Sequence, residues 1–465
     1  MVSGVVRNVR TWFSGGRTEP CMIRLRLFRT TVPFIAACVL VAGCAALPEP
    51  DGLEAAIIEK AEGLAALTPA DGGGGKSAAR NGLLLSPSVR ESAGLVSASA
   101  DEVRVQRAAL FPGLALTMVG GAGDAGSGDP ALELQASQLL FDGGNSRRAV
   151  KLADFDLQID YITFQKTVDE VLIDLLAAYD AVQLQGDLLE IYGNQLTALS
   201  ELEALVARRV DSGAASSTDL LETRKRVQSA AFLVTDTELA LAEARDRLVL
   251  LTGQSRGGQV RIRPASCKAA GETDDLRIAR LELARAQLAL EKAEKARVPR
   301  ISLKPVIRGE IGAGRLPAGV DVDIRSDLLE GGALQARANA ARNALSASRA
   351  KLENAGLEDS LNERRLLRSL ATGERKSEML QRQIGLLSET RKLYRSQYFD
   401  MGTRQLSELL DNEEEYYGRQ AELAELRSEL ALDRLNCAVR SRVLRRELGL
   451  EGSSIYGFPL SAGSI

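Results

Sequence analysis

One order of landmarks occurs twice along the 465 residues, and this repetition restricts the possible folds more than any other feature of the chain. Each copy holds an alanine-rich helical stretch ending in proline, two short alternating strands, a Gly-Gly, a very long helix, a glycine turn, and a helix ending in glycine. The first copy is marked by Pro112, Gly143-Gly144, Gly213 and Gly253, the second by Pro299, Gly331-Gly332, Gly402 and Gly449. The prolines lie 187 residues apart, Gly143 and Gly331 188, the turn glycines 189 and the final glycines 196. A supersecondary unit repeated at nearly constant spacing builds its core by packing one copy on the other.

The long stretches set the architecture. From Gly144 to Val210, apolar residues such as Phe155, Ile159, Ile162, Val168, Leu172, Leu175 and Tyr179 recur at helical spacing, and a similar stretch runs from Gly332 to Phe399. At 1.5 Å per residue, about 67 residues make a helix roughly 100 Å long. With only 4% aromatic residues and abundant Ala, Leu, Glu and Arg, such helices pack on one another like a coiled coil rather than around a thick core. The helices over 218–251 and 403–448 fold back antiparallel after Gly213 and Gly402, where a reversal needs a left-handed residue.

Four segments read as strands, three of them alternating with period two. In "GVDVDIRSDLL", Val320, Val322 and Ile324 oppose Asp321, Asp323 and Arg325; in "ALELQASQLL", Leu132 and Leu134 oppose Glu133 and Gln135. Ile301, Leu303 and Ile307 oppose Ser302, Lys304 and Arg308, while the stretch from Leu114 to Val119 is apolar on both faces. The pattern suits a half-buried sheet or a membrane barrel with lipid outside and water inside. Four strands cannot close a barrel, and open strand edges are not tolerated in lipid, so membrane strands here require several chains; three would supply twelve strands.

The first residues read as a targeting segment. Arg24, Arg26 and Arg29 precede an apolar run from Val32 to Ala42, too short to span a bilayer, and residues 1–21 read as an upstream extension with translation starting at Met22. "VAGC" at 41–44 resembles the lipobox of bacterial lipoproteins, a resemblance that implies lipidation of Cys44. Without residues 1–43 the chain has 53 basic and 61 acidic residues, a formal charge of −8 that argues against a nucleic-acid partner. Cys267 and Cys437 remain; an oxidising periplasm permits a disulfide, and two unpaired thiols fit the sequence equally well. The chain has no histidine, which removes the usual general base and the commonest metal ligand, and no nucleophile stands beside a base; neither an enzyme nor a cofactor is expected. "DGGGGKS" at 71–77 lacks the first glycine of a phosphate loop, since Ala70 stands there, and reads as a flexible linker.

"SQLLFDGG" at 137–144, its degenerate second copy "DLLEGG" at 327–332, "DSGAASSTDLLETR" at 211–224 and the segment from Asp400 to Gly449 resemble, in their order and repetition, the TolC-like outer-membrane factor family. The resemblance covers nearly all of 80–450. It implies a mainly α fold with membrane β: long antiparallel helical hairpins and four strands per chain, joined as a homotrimer into a twelve-stranded barrel in the outer membrane of a Gram-negative bacterium, with the helices in the periplasm. Such a duct serves tripartite efflux pumps or type I secretion systems, beside a periplasmic adaptor protein and an inner-membrane RND or ABC transporter. The expected organisation is a signal segment over 1–43, a lipidated N-terminus and Gly-rich linker over 44–85, repeats over 86–258 and 259–450, and a flexible tail over 451–465.

At the periplasmic tip, the family pattern implies constriction carboxylates at Glu408 and Asp411 and a gate lock from Arg404 to Asp219 and Thr218. Gly213 and Gly402 form the tip turns, and Gly143, Gly144, Gly331 and Gly332 the strand-helix junctions. Three departures stand out. Phe399 occupies the place of a gate tyrosine, with Tyr398 beside it as a substitute; Glu replaces Asp at 408; and only Phe111 and Phe141 offer aromatic residues near the strands. Glu413, Glu414 and Glu415 read as solvated. The alternative is a periplasmic coiled-coil lipoprotein that scaffolds or adapts other components without forming a pore.

Overall fold

The computed structural model describes residues 52–70, 74–119, 131–254, 266–310, 317–326 and 331–461. The signal segment, Cys44 and most of "DLLEGG" lie outside these residues. The described chain runs α1 (Leu53–Glu62), β1 (Ala65–Ala66), α2 (Gly75–Leu85), α3 (Pro87–Ala108), β2 (Gly113–Val119), β3 (Ala131–Phe141), α4 (Asn145–Asp211) and α5 (Ser217–Thr252). It continues with α6 (Asp274–Glu294), β4 (Arg300–Glu310), β5 (Ala318–Arg325), α7 (Ala333–Ser396), α8 (Leu406–Arg440), α9 (Leu444–Glu447), β6 (Ser453–Ile455) and β7 (Phe458–Pro459).

The repeat is visible element by element. The starts of α3 and α6 are 187 residues apart, those of β2 and β4 187, those of α4 and α7 188, and those of α5 and α8 189. The long helices α4 and α7 have 67 and 64 residues. Each pairs with the helix after its turn, and α4 also packs along α8, so the four run side by side in the order α5, α4, α8, α7.

The strands form one antiparallel sheet in the order β2, β3, β4, β5, with the two copies meeting between β3 and β4. The register aligns Leu116, Leu134 and Ile307 across three strands, and Leu303 with Val322. One face therefore carries Leu114, Leu116, Met118, Leu132, Ile307, Val320, Val322 and Ile324, all exposed. The other carries ion pairs from Arg308 to Glu133 at 3.0 Å and from Lys304 to Asp323. Among the described residues, β2 and β5 each keep one unpaired edge.

The strand-helix junctions use both pairs of glycines with positive φ, 64° and 80° at Gly143 and Gly144 and 55° and 86° at Gly331 and Gly332. Space differs between the copies. A Cβ on Gly143 would lie 2.6 Å from Val298 Cγ1, whereas nothing lies within 4 Å of one on Gly331 or Gly332. Asp142 accepts from the backbone N–H groups of Gly144 and Ser146 at 2.9 and 2.6 Å, satisfying donors at the start of α4.

Two expectations about the ends change. The stretch over 44–85 is not only linker: α2 begins at Gly75, and α1 lies ahead of it. Residues 453–459 are not a free tail, because β6 pairs in parallel with β1 and antiparallel with β7. Leu450, Ile455, Phe458 and Leu460 enter the main apolar cluster beside Phe164, Leu172 and Leu175. Burial of these side chains, worth about 1.5–3 kcal/mol each, fixes the tail. Arg445, only 2% exposed, ties it down by donating to Asp169, to Gln165 and to the backbone carbonyl of Leu460. Cys267 and Cys437 form a disulfide, which joins the connection between the repeats to α8.

Candidate functional site

The two hairpin turns come together and share one apolar core. Leu199, Leu202 and Val206 of α4 meet Ala230 of α5, Tyr398, and Leu406, Leu409 and Leu410 of α8. At the first turn Gly213 has φ 75°, and Ser216 caps α5 in a reciprocal pair of hydrogen bonds with Asp219, each 3.1 Å. At the second, α7 widens into a π-helical turn over Gln397–Met401, and Gly402, at φ 66°, reverses the chain. Neither turn glycine has a neighbour within 4 Å of an added Cβ, so backbone conformation rather than space calls for glycine there.

Three arginines organise the charges. Arg209 donates to the carbonyl oxygens of Tyr398 and Phe399 at 3.2 and 3.0 Å, and its guanidinium lies 5.0 Å from the centre of the Tyr398 ring. Burial and the nearby charge of Asp219 push the Tyr398 phenol above its ordinary range, against the opposing effect of Arg209. Arg226 of α5 donates to Asp411 at 3.0 Å, to Glu222 at 3.1 Å and to Glu414. Arg404 donates to Glu408 at 2.6 Å and to Gln397 at 3.1 Å, and stacks 3.9 Å from the centre of the Tyr394 ring.

These contacts revise the expected site. The Arg404 to Asp219 lock is not formed within the chain, because Arg404, in the turn just before α8, pairs with Glu408 in the first turn of that helix while Asp219 serves as a cap. Thr218 lies exposed beside that cap. The bond between turns comes from Arg209, for which a backbone carbonyl suffices, so Phe399 takes part without a hydroxyl. Glu408 and Asp411 are both partly exposed at the tip, and each has an arginine partner.

The three acids behind them are not a solvated row. Glu413 is fully buried and pairs with Arg391 of α7 at 2.6 Å; the same guanidinium lies 5.1 and 5.2 Å from the ring centres of Tyr416 and Tyr417. Glu414 binds Arg226, and Glu415 accepts from Gln383 at 3.2 Å. Arg209 and Arg226 escaped the sequence reading. By sequence alone Arg209 is one of the cations common at a helix C-terminus, and two of the three partners of Arg226 lie more than 180 residues away. No group of acids, cysteines or histidines able to hold a metal occurs among the described residues.

Residues 79–254 match the outer membrane efflux protein family. No curated protein matches the chain. Among solved structures, the outer membrane protein VceC from Vibrio cholerae is 16% identical, with a TM-score of 0.69 over 80% of this chain and 95% of its own. The CmeC outer membrane channel of Campylobacter jejuni is 12% identical, with a TM-score of 0.67 over 82% and 86%. The open state of the MtrE outer membrane channel of Neisseria gonorrhoeae is 16% identical, with a TM-score of 0.65 over 84% and 91%. The resemblance to TolC-like outer-membrane factors is thus one of sequence over 79–254 and of fold over most of the chain.

Proposed function

We propose that the chain is the outer-membrane duct of a tripartite efflux pump, a passive homotrimeric channel whose hairpin turns form a gated periplasmic tip. The observation that carries this reading is the four-stranded sheet. Its apolar face is exposed, its polar face is knitted by ion pairs, and its two outer strands have free edges. Such a sheet is a liability in water and impossible in lipid unless the edges close on further strands. Three copies supply twelve strands, an even number suited to a barrel with lipid outside and water within. A pore-less scaffold would leave that apolar face without a use.

The helices repeat the argument. In the order α5, α4, α8, α7, the flanking helices keep large apolar side chains exposed toward the turns, among them Leu221 and Leu239 of α5 and Leu386 and Leu393 of α7, where a next copy would meet them, while α6 covers part of α7. Grouped carboxylates at the tip favour cations in a narrow axial passage. The adaptor and the energised inner-membrane transporter would engage this assembly from the periplasm, and the leader with Cys44 would add a lipid anchor. Efflux is favoured over protein secretion by the matched family, whose description is efflux. Deleting the gene in its host tests this: intracellular retention of exported small molecules should rise, with the protein in the outer-membrane fraction. Unchanged retention with the protein outside that fraction would refute it.

A further inference from the structure

A cavity of about 220 Å³ lies between the two repeats. Its walls are a stripe of α4 from Tyr161 to Ile173, the connection at Glu272 and Thr273 with the start of α6, the stretch of α7 from Ala355 to Asn362, and the end of α8. Ile173 stands 38 residues before the end of α4 at Asp211, about 57 Å along the helix, so the cavity is remote from the tip. A second hollow of about 360 Å³ continues it, sharing Tyr161, Ile162, Glu272 and Arg277. The connection is fixed in place. Arg440 donates to the carbonyl oxygen of Cys267 at 3.3 Å, its own carbonyl accepts from the N–H of Ala270 at 3.0 Å, and the disulfide joins the same stretch to α8. A wall set before binding lowers the entropy lost when a ligand enters.

Seven carboxylates and five cations line the cavity, a net charge of −2. The cations are all committed. Lys166 holds Asp275 at 2.7 Å, Arg440 holds Asp359 at 2.8 Å and Arg445 holds Asp169 at 2.7 Å, while Arg277 and Arg442 share Asp274 at 3.3 and 3.2 Å. Glu272 pairs with Arg280 at 2.8 Å. Two carboxylates are left over, one on each repeat. Glu358 of α7 accepts from the Asn354 amide at 2.8 Å and makes no ion pair among the described residues, and Glu170 of α4 has Lys166 at 3.8 Å. The Thr273 hydroxyl oxygen, also in the lining, is buried without a hydrogen-bond partner among the described residues, although the residue stands at the N-cap of α6. Ile162, Ile173 and Val439 supply apolar surface.

We propose that this cavity binds a small aliphatic diamine, one ammonium at Glu170 and the other at Glu358, with the carbon chain on Ile173 and Val439. Two unmatched carboxylates call for two positive charges, and the volume lies below the roughly 300–1,000 Å³ of drug-sized pockets. An ammonium brings three N–H donors, enough for a carboxylate and the orphaned Thr273 oxygen. A metal ion is the poorer occupant, because no group of acids able to hold one occurs among the described residues. Glu170 belongs to the first repeat and Glu358 to the second, so the ligand ties the repeats together. The proposal goes beyond the duct reading and does not depend on it.

Isothermal titration of putrescine into the full-length protein in detergent, at fixed salt, tests it. Saturable binding is expected, tighter than that of n-butylamine, which carries one ammonium, with none for the dianion succinate. Glu358→Gln and Glu170→Gln should each weaken putrescine binding about tenfold and Thr273→Val about threefold. Glu389→Gln, which removes an exposed acid of α7 outside the cavity, should leave it unchanged. Saturating putrescine should also raise the melting temperature of the parent and not that of Glu358→Gln. No saturable binding, equal affinity for putrescine and n-butylamine, or a loss in Glu389→Gln as large as in Glu358→Gln would overturn the site and leave the duct standing.

Discussion

The guanidinium of Arg209 donates to the carbonyl oxygen of Phe399 at 3.0 Å, although 190 residues separate the two positions. A single side chain thereby joins the turns of two different hairpins. Charged hydrogen bonds of this kind contribute about 1.5–3 kcal/mol. Arg209→Ala is expected to loosen the tip, raising mean single-channel conductance while the trimer persists. Unchanged conductance would mean that the turns are held by their apolar core alone.

Charge at the tip makes a second prediction. Around Arg226, one guanidinium faces the three carboxylates of Glu222, Asp411 and Glu414, so that cluster keeps a net charge of −2. Arg404 and Glu408 nearly cancel. Glu408→Ala with Asp411→Ala should lower the cation-to-anion permeability ratio about threefold, a change near RT, or roughly 0.6 kcal/mol. Reversal potentials in a salt gradient measure it, and a ratio equal to that of the parent would remove the acids from the conduction path.

The amount legible in the sequence varied with distance. Gly213, Gly402 and the Gly-Gly pairs punctuate the chain locally, which is why the order of helices and strands could be read from their spacing. The pairing of Arg404 with Glu408 was also local, from the turn to the first turn of the helix four residues on, but the family pattern pointed Arg404 elsewhere. Arg209, Arg226 and the burial of Glu413 depend on which helices meet, and periodicity within one helix carries no record of that. The tail failed for another reason. Ser453–Ile455 and Phe458–Pro459 are too short to show alternation, and their partner strand is only Ala65–Ala66.

Arg445 clamps that tail with Asp169, from which 276 residues separate it. Removing one member of a buried ion pair costs about 3–5 kcal/mol, because the partner stays behind uncompensated. Arg445→Ala should therefore lower the melting temperature of the detergent-solubilised protein clearly and make residues 450–460 accessible to protease. If both stay unchanged, the tail is held by apolar packing.

Tyr161 carries a pH prediction. Burial pushes its phenol up to about 12, against the opposing effects of Arg445 and Gln165. The unfolded chain releases this proton near pH 10 and the folded chain near 12, so the contribution to stability is full below pH 10 and is lost between those values. Its ceiling is about 2–3 kcal/mol at 1.36 kcal/mol per pH unit. The difference in unfolding free energy between the parent and Tyr161→Phe should thus move in favour of the variant from pH 9.5 to 11.5, by roughly that amount or less. A difference constant over that range would show that the phenol is not held neutral.

Planar-bilayer recording of the size-fractionated protein tests the central claim most directly. The account predicts that the trimeric fraction inserts and gives discrete, cation-preferring openings of low conductance, and that Arg209→Ala increases their size. A protein that is monomeric in detergent and leaves the bilayer insulating would contradict it.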